Sequence, residues 1–343
     1  MSTRVLLLSA RETDLRPDTD LRLVVRDLLV ALGMHPGCEV LHSEVARIVD
    51  IERAVRLFRP DAVVNMCETL YGESSNEPIV PLVLERLGVA FTGSPAACLR
   101  QCLRKADTCA ALRAAGVPVP ATFRVAADID PALLGGRLPY PLIVKPERED
   151  GSVGIHLSSV VADDESLQRA VRDVVFGLGQ PAVIQQYVEG REIAVSLLGW
   201  PEPRVLPPGE IAFDAELFAG RPRVLTYASK WDEESADFRG TRSISAATSP
   251  ATLSRVGSIA RRAFLALGMR DYGRVDLRLD AAERPFVIDV NPNCDLSTEG
   301  GFAKAAARAG LGYHGAVSAI LQGALARAAG ARPVAPSFAS ARA

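Results

Sequence analysis

The 343-residue sequence predicts an α/β fold, in part α+β, with two or three domains. Two patterns support this prediction. In the first part of the chain, short apolar strands alternate with helices, which is typical of a parallel sheet covered by helices. Further on, segments 273–280 and 285–292 alternate in polarity and are separated by residues 281–284, a spacing typical of an antiparallel hairpin.

The balance of charge and the apolar pattern exclude several classes of protein. With 39 basic and 41 acidic residues, the chain lacks the excess charge of a protein that coats nucleic acid. No apolar run approaches the ~18 residues of a membrane span, and the run after Met1 is too short for a signal peptide. We therefore expect a cytoplasmic protein without nucleic-acid or membrane partners. The six cysteines lack zinc spacing, which favours buried reduced thiols.

The N-terminal segment is predicted to form a parallel α/β unit. Strands are expected over 5–8, 38–41, 61–65 and 88–94, and helices over 21–32, 51–58 and 79–87. Ligands of parallel sheets bind at the carboxyl ends of strands. The polar loop 68–77 follows the third strand, so it is a candidate substrate contact or, alternatively, a solvated connection.

The next segment carries a lysine at the end of an apolar strand. A helix is predicted over 98–115, with Lys105 inside it, and a strand over 141–146, with Lys145 near its end. The polar loop 147–154 and a returning strand over 155–160 follow. A loop with glycines between two strands can hold phosphates through its backbone N–H groups, and Lys145 would add a charge. An ordinary Gly-Ser turn is the alternative.

Two further strands are candidates for lining a nucleotide pocket. A helix over 163–176 precedes strands over 182–188 and 192–198. Their backbone groups could bind a base, and Glu192 could reach ribose hydroxyls. A surface hairpin is the alternative interpretation.

A long polar segment and several helices complete the chain. Loop 229–241 is predicted to be a lid, in which Lys230 and Trp231 suggest a phosphate contact under an aromatic cover. The pair Ser249-Pro250 predicts a helix start, and Gly268 predicts its end. Two alanine-rich helices should follow the hairpin, up to about residue 329. The tail 331–343 is predicted to be disordered.

The hairpin carries a group of oxygen ligands. Alternation puts Arg274, Asp276 and Arg278 on one face of the first strand. On the second strand it puts Asp289 and Asn291 on one face, together with the apolar Val287. Pairing of the strands could bring two carboxylates and an amide together, which suits Mg²⁺ shared with phosphates. The alternative is an ordinary hairpin with solvated charges.

Taken in order, these segments resemble the ATP-grasp superfamily, and specifically the D-alanine–D-alanine ligases, over residues 3–325. The resemblance rests on 92–94, Lys105, 116–118, 143–146, 151–154, 185–192, the Lys230 loop, 274–276 and 289–291. It implies three domains, with ATP held between the second and the third. Their boundaries would be 1–97 for the N-terminal α/β domain, 98–188 for the central ATP-grasp subdomain and 189–330 for the C-terminal ATP-grasp subdomain.

The resemblance also implies roles for individual residues. Lys105 and Lys145 would bind phosphates, under a closing loop made of Gly151, Ser152, Val153 and Gly154. The adenine segment would be Gln185, Gln186, Tyr187 and Val188, with Glu192 on the ribose and Lys230 on the terminal phosphate. Two Mg²⁺ ions would be held by Asp276, Asp289 and Asn291, and Arg274 would stabilise the reacting carbonyl. The family more often has Glu in place of Gln185 and of Asp289.

The chemistry implied by the resemblance has two steps. A substrate carboxylate attacks the γ-phosphate of ATP, which gives an acylphosphate and ADP. An amine then attacks the acylphosphate, which gives an amide and phosphate. The partners would be small carboxylate and amine substrates, and the family analogy suggests a homodimer.

Departures from the family pattern fall on the substrate side. The N-terminal motif that grips the first amine is absent, and Glu12 is a candidate substitute. Trp231 stands where the lid has a tyrosine, which removes a Ser–Tyr hydrogen bond. Asp295 and Gly300 stand where the acceptor carboxylate is bound, and an Asp would repel a carboxylate.

These departures favour a ligase with a changed substrate pair. A cell-wall D-alanine–D-alanine ligase with a divergent pocket is the first alternative. A nucleotide-binding protein that has lost catalysis is the second, and the retained acidic and basic residues argue against it.

Overall fold

A computed structural model describes residues 2–11, 21–125 and 138–330 of the chain. The predictions for Glu12 and for the tail 331–343 lie outside these residues. Within them, the strands form three sheets of three, six and four strands. No helix in the described ranges is long and apolar enough to cross a membrane.

The N-terminal sheet is parallel, as predicted. Its strands are β1 (Thr3–Ala10), β2 (Cys38–Val45) and β3 (Ala62–Met66), in the order β2-β1-β3. The accompanying helices are α1 (Leu21–Gly33), α2 (Ile48–Phe58) and α3 (Ile79–Leu87).

The strand expected at 88–94 is wrong. Only an isolated parallel bridge between Val63 and Phe91 forms there. The chain turns at Gly93, whose φ is +90°, and its N–H donates to Asp271 instead of continuing the sheet.

The helix expected over 98–115 is broken into α4 (Ala96–Cys102) and α5 (Lys105–Ala114). The break has a tertiary cause. Glu147 accepts hydrogen bonds at the start of α5, from the N–H of Lys105 to its carbonyl (3.3 Å) and from the N–H of Ala106 to its Oε1 (3.3 Å). A carboxylate at this position satisfies otherwise unpaired N–H groups. Lys105 therefore lies at the first residue of a helix rather than inside one.

The four-stranded sheet is antiparallel and holds the Lys145 strand at its centre. Its strands are β4 (Thr122–Val125), β5 (Leu142–Pro146), β6 (Val160–Val161) and β7 (Ala182–Gln186), in the order β4-β7-β5-β6. The helix predicted over 163–176 appears as α6 (Asp164–Arg172), followed by a π-helical turn over Asp173–Gly177. The returning strand expected over 155–160 is wrong except at its end. The N–H of His156 donates to Ser159 Oγ (3.0 Å), which closes a turn there.

The six-stranded sheet is antiparallel and carries the predicted hairpin. Its strands are β8 (Arg191–Leu198), β9 (Arg204–Val205), β10 (Gly209–Phe213), β11 (Thr241–Ser245), β12 (Tyr272–Leu279) and β13 (Pro285–Asn291). Its helices are α7 (Tyr227–Trp231), α8 (Ala236–Arg239), α9 (Pro250–Ala266), α10 (Gly301–Arg308) and α11 (Gly312–Ala328). Ser249 caps α9 and Pro250 begins it, as predicted. The last two helices also follow the prediction.

The lid segment 229–241 is not a continuous loop, contrary to expectation. It contains α7 and α8, because Thr226 and Ser235 accept hydrogen bonds from the N–H groups of Ser229 and Phe238. Side chains of this type at a helix start stabilise short helices that sequence periodicity does not reveal.

The surface hairpin considered for 182–198 is also wrong, because β7 and β8 belong to different sheets. Between them, Gly190 has φ of +143°, and a Cβ atom there would lie 1.9 Å from the carbonyl oxygen of Leu279. Only glycine fits such a crossing. The short connection therefore leads directly from one sheet to the other.

A buried ion pair of the C-terminal half, Asp271 with Arg327, holds the segment that follows α3 through hydrogen bonds. Asp271 is 1% exposed and accepts from Arg327 Nη2 (2.6 Å), from Arg327 Nη1 and from the N–H of Gly93 (2.9 Å). Arg327 also donates to the carbonyl of Phe91 (2.8 Å). On the same side, α11 shares an apolar core with β1 and β3.

Asp271→Asn should destabilise the protein by about 3–5 kcal/mol, because it leaves Arg327 as a buried charge without its partner. Asn suits the positive φ of 65° at this position. Urea unfolding measures the free energy. Glu165→Gln, in the exposed pair with Arg169, is the control and should cost less than about 1 kcal/mol. Equal losses in the two variants would contradict the prediction.

Candidate functional site

The hairpin of β12 and β13 brings together the four polar residues predicted to meet there. Asp276 pairs with Asp289, and Arg274 pairs with Asn291. Arg274 binds the carboxylate of Asp276 through Nε (2.8 Å) and Nη2 (2.9 Å), and Asn291 Nδ2 donates to the same carboxylate (3.2 Å). Two carboxylates therefore lie opposite each other on neighbouring strands.

The expectation that Val287 shares this face is wrong. The register shifts beside Asp276 and Leu277, so that Val287 pairs with Leu277 and Ile288 has no partner in the ladder. Such a bulge reverses the alternation on one strand. Val287 is 1% exposed and belongs to the apolar core of this sheet. The polar face of β13 thus contains Asp289 and Asn291 without the valine.

Asp289 is surrounded by cationic side chains. Burial alone would raise the pKa of its carboxyl, yet the pKa lies below its usual value. Opposite charges favour the ionised form of a carboxyl. The cations responsible, in order of effect, are Lys105, Lys145, Arg274 and Lys230. The predicted phosphate-binding lysines thus come from three separate segments and converge on one carboxylate.

The two lysines of the central segment line one pocket with Asp289. Lys105 Nζ donates to the carbonyl of Glu149 and to Asp150 Oδ1 (3.3 Å). Lys145 Nζ donates to Gln185 Oε1 (3.1 Å), and burial lowers the pKa of this lysine. Both ammonium groups therefore lie where an anion entering the pocket would meet them.

Lys230 lies in α7, at the start of the lid segment. Burial and the charge of Arg274 lower the pKa of its ammonium group, whereas the nearby carboxylates act in the opposite direction. Lys230 therefore interacts electrostatically with charged groups on β12 and β13, and its contact to a terminal phosphate stays a prediction.

The predicted base-binding segment runs along the end of β7. Gln185 is 2% exposed and its amide is bonded inside the protein, since Nε2 donates to Thr122 Oγ1 (3.1 Å). The side chain of Gln186 is exposed. Tyr187 Oη donates to the carbonyl of Arg223 (3.0 Å). Gln185 thus positions Lys145. The next residues, up to Val188, lead from β7 into the connection to β8.

One hydrogen bond joins the glycine-containing loop to the lid segment, and a second joins it to Leu225, just before that segment. Trp231 Nε1 donates to the carbonyl of Gly151 (2.9 Å), and Ser152 Oγ donates to the carbonyl of Leu225 (2.8 Å). Ser152 has φ of +64°, and a Cβ atom on Gly154 would lie 2.7 Å from Pro146. The loop, which includes Val153, is therefore attached to the lid even though a Ser–Tyr pair is impossible here.

The donor atoms of the hairpin fit Mg²⁺. Carboxylate and amide oxygens are its preferred protein ligands, with phosphates and water completing the coordination. Among residues 2–11, 21–125 and 138–330, no three His, Cys, Asp or Glu side chains form a group that could hold a metal. A cation here would thus depend on Asp276, Asp289 and the amide oxygen of Asn291. Such an incomplete set suits an ion that is shared with a nucleotide.

The segment after β13, which is predicted to bind the acceptor and is called the acceptor segment, forms a turn held by hydrogen bonds between its own residues. Asp295 accepts from the N–H of Ser297 (2.7 Å) and from Ser297 Oγ (2.7 Å). A Cβ atom on Gly300 would lie 2.6 Å from Asp295 Oδ2. Asp295 and Gly300 are therefore in direct contact, as two parts of one turn.

Two groups of residues were missed by the sequence analysis. Asn293 Nδ2 donates to Glu77 Oε1 (2.7 Å), and Tyr272 Oη donates to Asn293 Oδ1 (2.5 Å), which links loop 68–77 to the acceptor segment. Arg278 is 3% exposed and lies beside Glu192. The alternation that places Arg278 on the same face as Arg274 and Asp276 could have identified it as a site residue. No local sequence pattern indicates Asn293.

Comparisons with known proteins agree with the predicted resemblance. The family model described as D-ala D-ala ligase C-terminus matches residues 121–322. An uncharacterised Sinorhizobium fredii protein, y4sG, is 33% identical over 259 residues, which cover 76% of this chain and 73% of that protein. A D-alanine–D-alanine ligase from Desulforudis audaxviator is 29% identical over 283 residues, which cover 80% of this chain and 87% of the ligase.

Solved structures agree on the fold. The chain is similar to a D-alanine–D-alanine ligase from Bacillus anthracis complexed with ATP, with a TM-score of 0.73, 20% identity and coverage of 96% of this chain and 99% of that one. It is also similar to the VanG D-Ala:D-Ser ligase from Enterococcus faecalis, with a TM-score of 0.74, 15% identity and coverage of 94% and 99%. The predicted ATP-grasp fold is thus confirmed.

Trp231→Phe should speed opening of loop 147–154 by about fivefold, because the ring is kept while a hydrogen bond worth ~1 kcal/mol to Gly151 is lost. Amide hydrogen exchange of the loop measures this. Trp200→Phe, the same change at the end of β8, is the control. If the loop exchanges at the same rate in the two variants, the indole N–H does not hold it.

Proposed function

The chain belongs to the D-alanine–D-alanine ligase family, and from this premise we propose that it is an ATP-dependent ligase joining a carboxylate to an amine. The reaction would release ADP and phosphate and form an amide bond. The family implies the use of ATP and Mg²⁺, and we propose that two Mg²⁺ ions act together. A cytoplasmic location and a homodimer stay predictions.

The observation that carries this proposal is the convergence of cations on Asp289. Lys105, Lys145 and Lys230 come from different segments and all act on the Asp289 carboxylate, and Lys105 and Lys145 line one pocket with it. The phosphates of a nucleotide would supply anionic partners for these ammonium groups. Phosphoryl transfer requires positioning and charge stabilisation more than covalent chemistry, and this group of side chains can provide both.

The present partners of Lys105 and Arg274 indicate a function for each of these two cations. Lys105 now binds Asp150 and the Glu149 carbonyl, which belong to the loop expected to cover the phosphates. Exchange of these partners for phosphate oxygens would free the loop to close. Arg274 is held in plane by Asp276 through two bonds, so its remaining N–H groups have a fixed direction toward a developing negative charge.

When bound, Mg²⁺ would neutralise charge on the phosphates and help to align the terminal one for transfer. Asp276, Asp289 and Asn291 would hold it.

The two loops would exclude water from the reacting centre. An acylphosphate is hydrolysed readily, so the site must stay closed between the two steps. The bond from Trp231 to Gly151 joins the loop to the lid, and the bond from Ser152 to the Leu225 carbonyl joins it to the residues just before the lid. We propose that they keep the two segments moving together.

The acceptor side supports a changed substrate pair. Asp295 accepts two hydrogen bonds from Ser297. A carboxylate beside it would be repelled, whereas an amine or a neutral group would be tolerated. We therefore propose a substrate pair other than two D-alanines. A cell-wall D-alanine–D-alanine ligase and an inactive nucleotide-binding protein are the alternatives.

One incubation tests the proposal. The protein, ATP and Mg²⁺ are mixed with pairs drawn from a panel of amino acids and other carboxylates and amines, and phosphate release and product mass are followed. Phosphate release with an amide product from a pair other than two D-alanines supports the proposal. D-alanine dimer as the main product would favour the cell-wall alternative. ATP binding without turnover for any pair would favour the inactive protein.

Asp289→Asn should lower turnover about a hundredfold or more while the fold persists, because the variant loses a charged ligand at the reacting phosphate. Steady-state phosphate release across a Mg²⁺ series measures the change, and circular dichroism checks the fold. The control is Glu216→Gln, at an exposed position. Wild-type turnover in Asp289→Asn would show that the metal assignment is wrong.

Asp295→Gly should change the preferred acceptor toward carboxylate-bearing amines and leave the affinity for ATP unchanged, because it removes a negative charge from a turn that supplies none of the residues proposed to bind ATP. Ratios of kcat/KM across the panel measure preference. Glu299→Gln is the matched control, since its side chain is 90% exposed in the same segment. The same preference in all three proteins would remove Asp295 from the acceptor pocket.

A further inference from the structure

Arg278 is a buried cation with an unusual set of partners. Its side chain is 4% exposed, and Nη2 donates to Glu192 Oε2 (3.0 Å) and to the carbonyl of Arg223. Nη1 donates to the carbonyls of Val188 (3.4 Å) and Gly190 (3.3 Å). These partners come from the connection between two sheets, from β8 and from the segment before α7.

Tyr187 completes the enclosure of this guanidinium. Its ring centroid lies 5.1 Å from Arg278 Cζ, and its Oη lies 3.4 Å from Nη1. A buried guanidinium is tolerated only where its donors are satisfied. Arg278 therefore ties together the end of the base-binding segment, its connection and Glu192.

The bond to Glu192 is made on one side only. Arg278 binds Oε2 rather than Oε1, so Oε1 could accept a hydrogen bond from a ligand. A carboxylate held by a planar donor has a fixed orientation. Freed from Arg278, the Glu192 side chain could rotate among several rotamers.

We propose that Arg278 is a positioning residue for nucleotide recognition, which holds Glu192 so that its second oxygen accepts hydrogen bonds from ribose hydroxyls. The inference rests on the proposed function, since it assumes that a nucleotide binds between the sheets. In this proposal Arg278, acting through Glu192, contributes to the discrimination of ribonucleotides from deoxyribonucleotides.

A purely structural role for Arg278 gives a different expectation. If the residue only stabilised the connection at 187–190, its loss would weaken binding of every nucleotide by the same factor. If it acts through Glu192, its loss removes the advantage of the ribose hydroxyls. The ratio of affinities therefore separates the two roles.

The experiment measures dissociation constants of ATP, 2′-deoxyATP and 3′-deoxyATP by titration calorimetry, with Mg²⁺ and without other substrates. The wild-type protein should prefer ATP over at least one deoxy analogue by about tenfold, the effect of one hydrogen bond to a charged group. Arg278→Met should weaken ATP binding by about tenfold and the analogue much less, so that the ratio approaches about one. Arg278→Lys should recover part of the ratio.

Glu192→Gln and its combination with Arg278→Lys keep the test decisive if Arg278→Met fails to fold. Arg278→Lys alone should change the ratio of nucleotide affinities. In the Glu192→Gln background it should have no further effect on that ratio. Arg242→Met, at an exposed arginine of β11, is the matched control and should leave every constant unchanged.

Two results would overturn the inference. Equal weakening of all three nucleotides in the Arg278 variants would assign a structural role, and dissociation constants that all stay at their wild-type values would show that Arg278 does not act through Glu192. Failure of the wild-type protein to bind ATP would instead overturn the proposed function, and the inference with it.

Discussion

The organisation of this protein depends on the balance of charge around two carboxylates that face each other across one hairpin. Asp276 and Asp289 are paired residues on neighbouring strands, and like charges in that arrangement repel each other. Arg274 neutralises the first through two hydrogen bonds. The second depends on lysines supplied by α5, β5 and α7, so three remote segments must be in place before the hairpin is electrostatically balanced.

Much of this arrangement could be predicted from the sequence because the hairpin is local. Alternation and turn length predict which residues share a face, and Arg274, Asp276, Asp289 and Asn291 meet as expected. Val287 shows the limit of that reasoning. A single unpaired residue in β13 moves it to the apolar core, and a bulge leaves no periodic signal in a strand of seven residues.

Two of the wrong predictions have a physical origin in contacts between distant residues. The helix expected to contain Lys105 begins anew at that residue because Glu147, which follows another strand, satisfies its first N–H groups. The expected hairpin around Gly190 separates into two sheets because the chain passes against the carbonyl of Leu279. Neither partner is near in sequence, so local propensity favoured a longer helix and a simpler turn.

The departures from the family pattern after β13 are also coupled rather than independent. With Asp295 in its observed rotamer, any side chain at position 300 would meet its carboxylate, since a Cβ atom would lie 2.6 Å from Oδ2. A serine at 300 therefore requires a smaller residue at 295 or a different turn. Asp295 also depends on Ser297, which satisfies both carboxylate oxygens. The departures after β13 thus form one self-consistent turn, in which Asp295, Ser297 and Gly300 depend on one another.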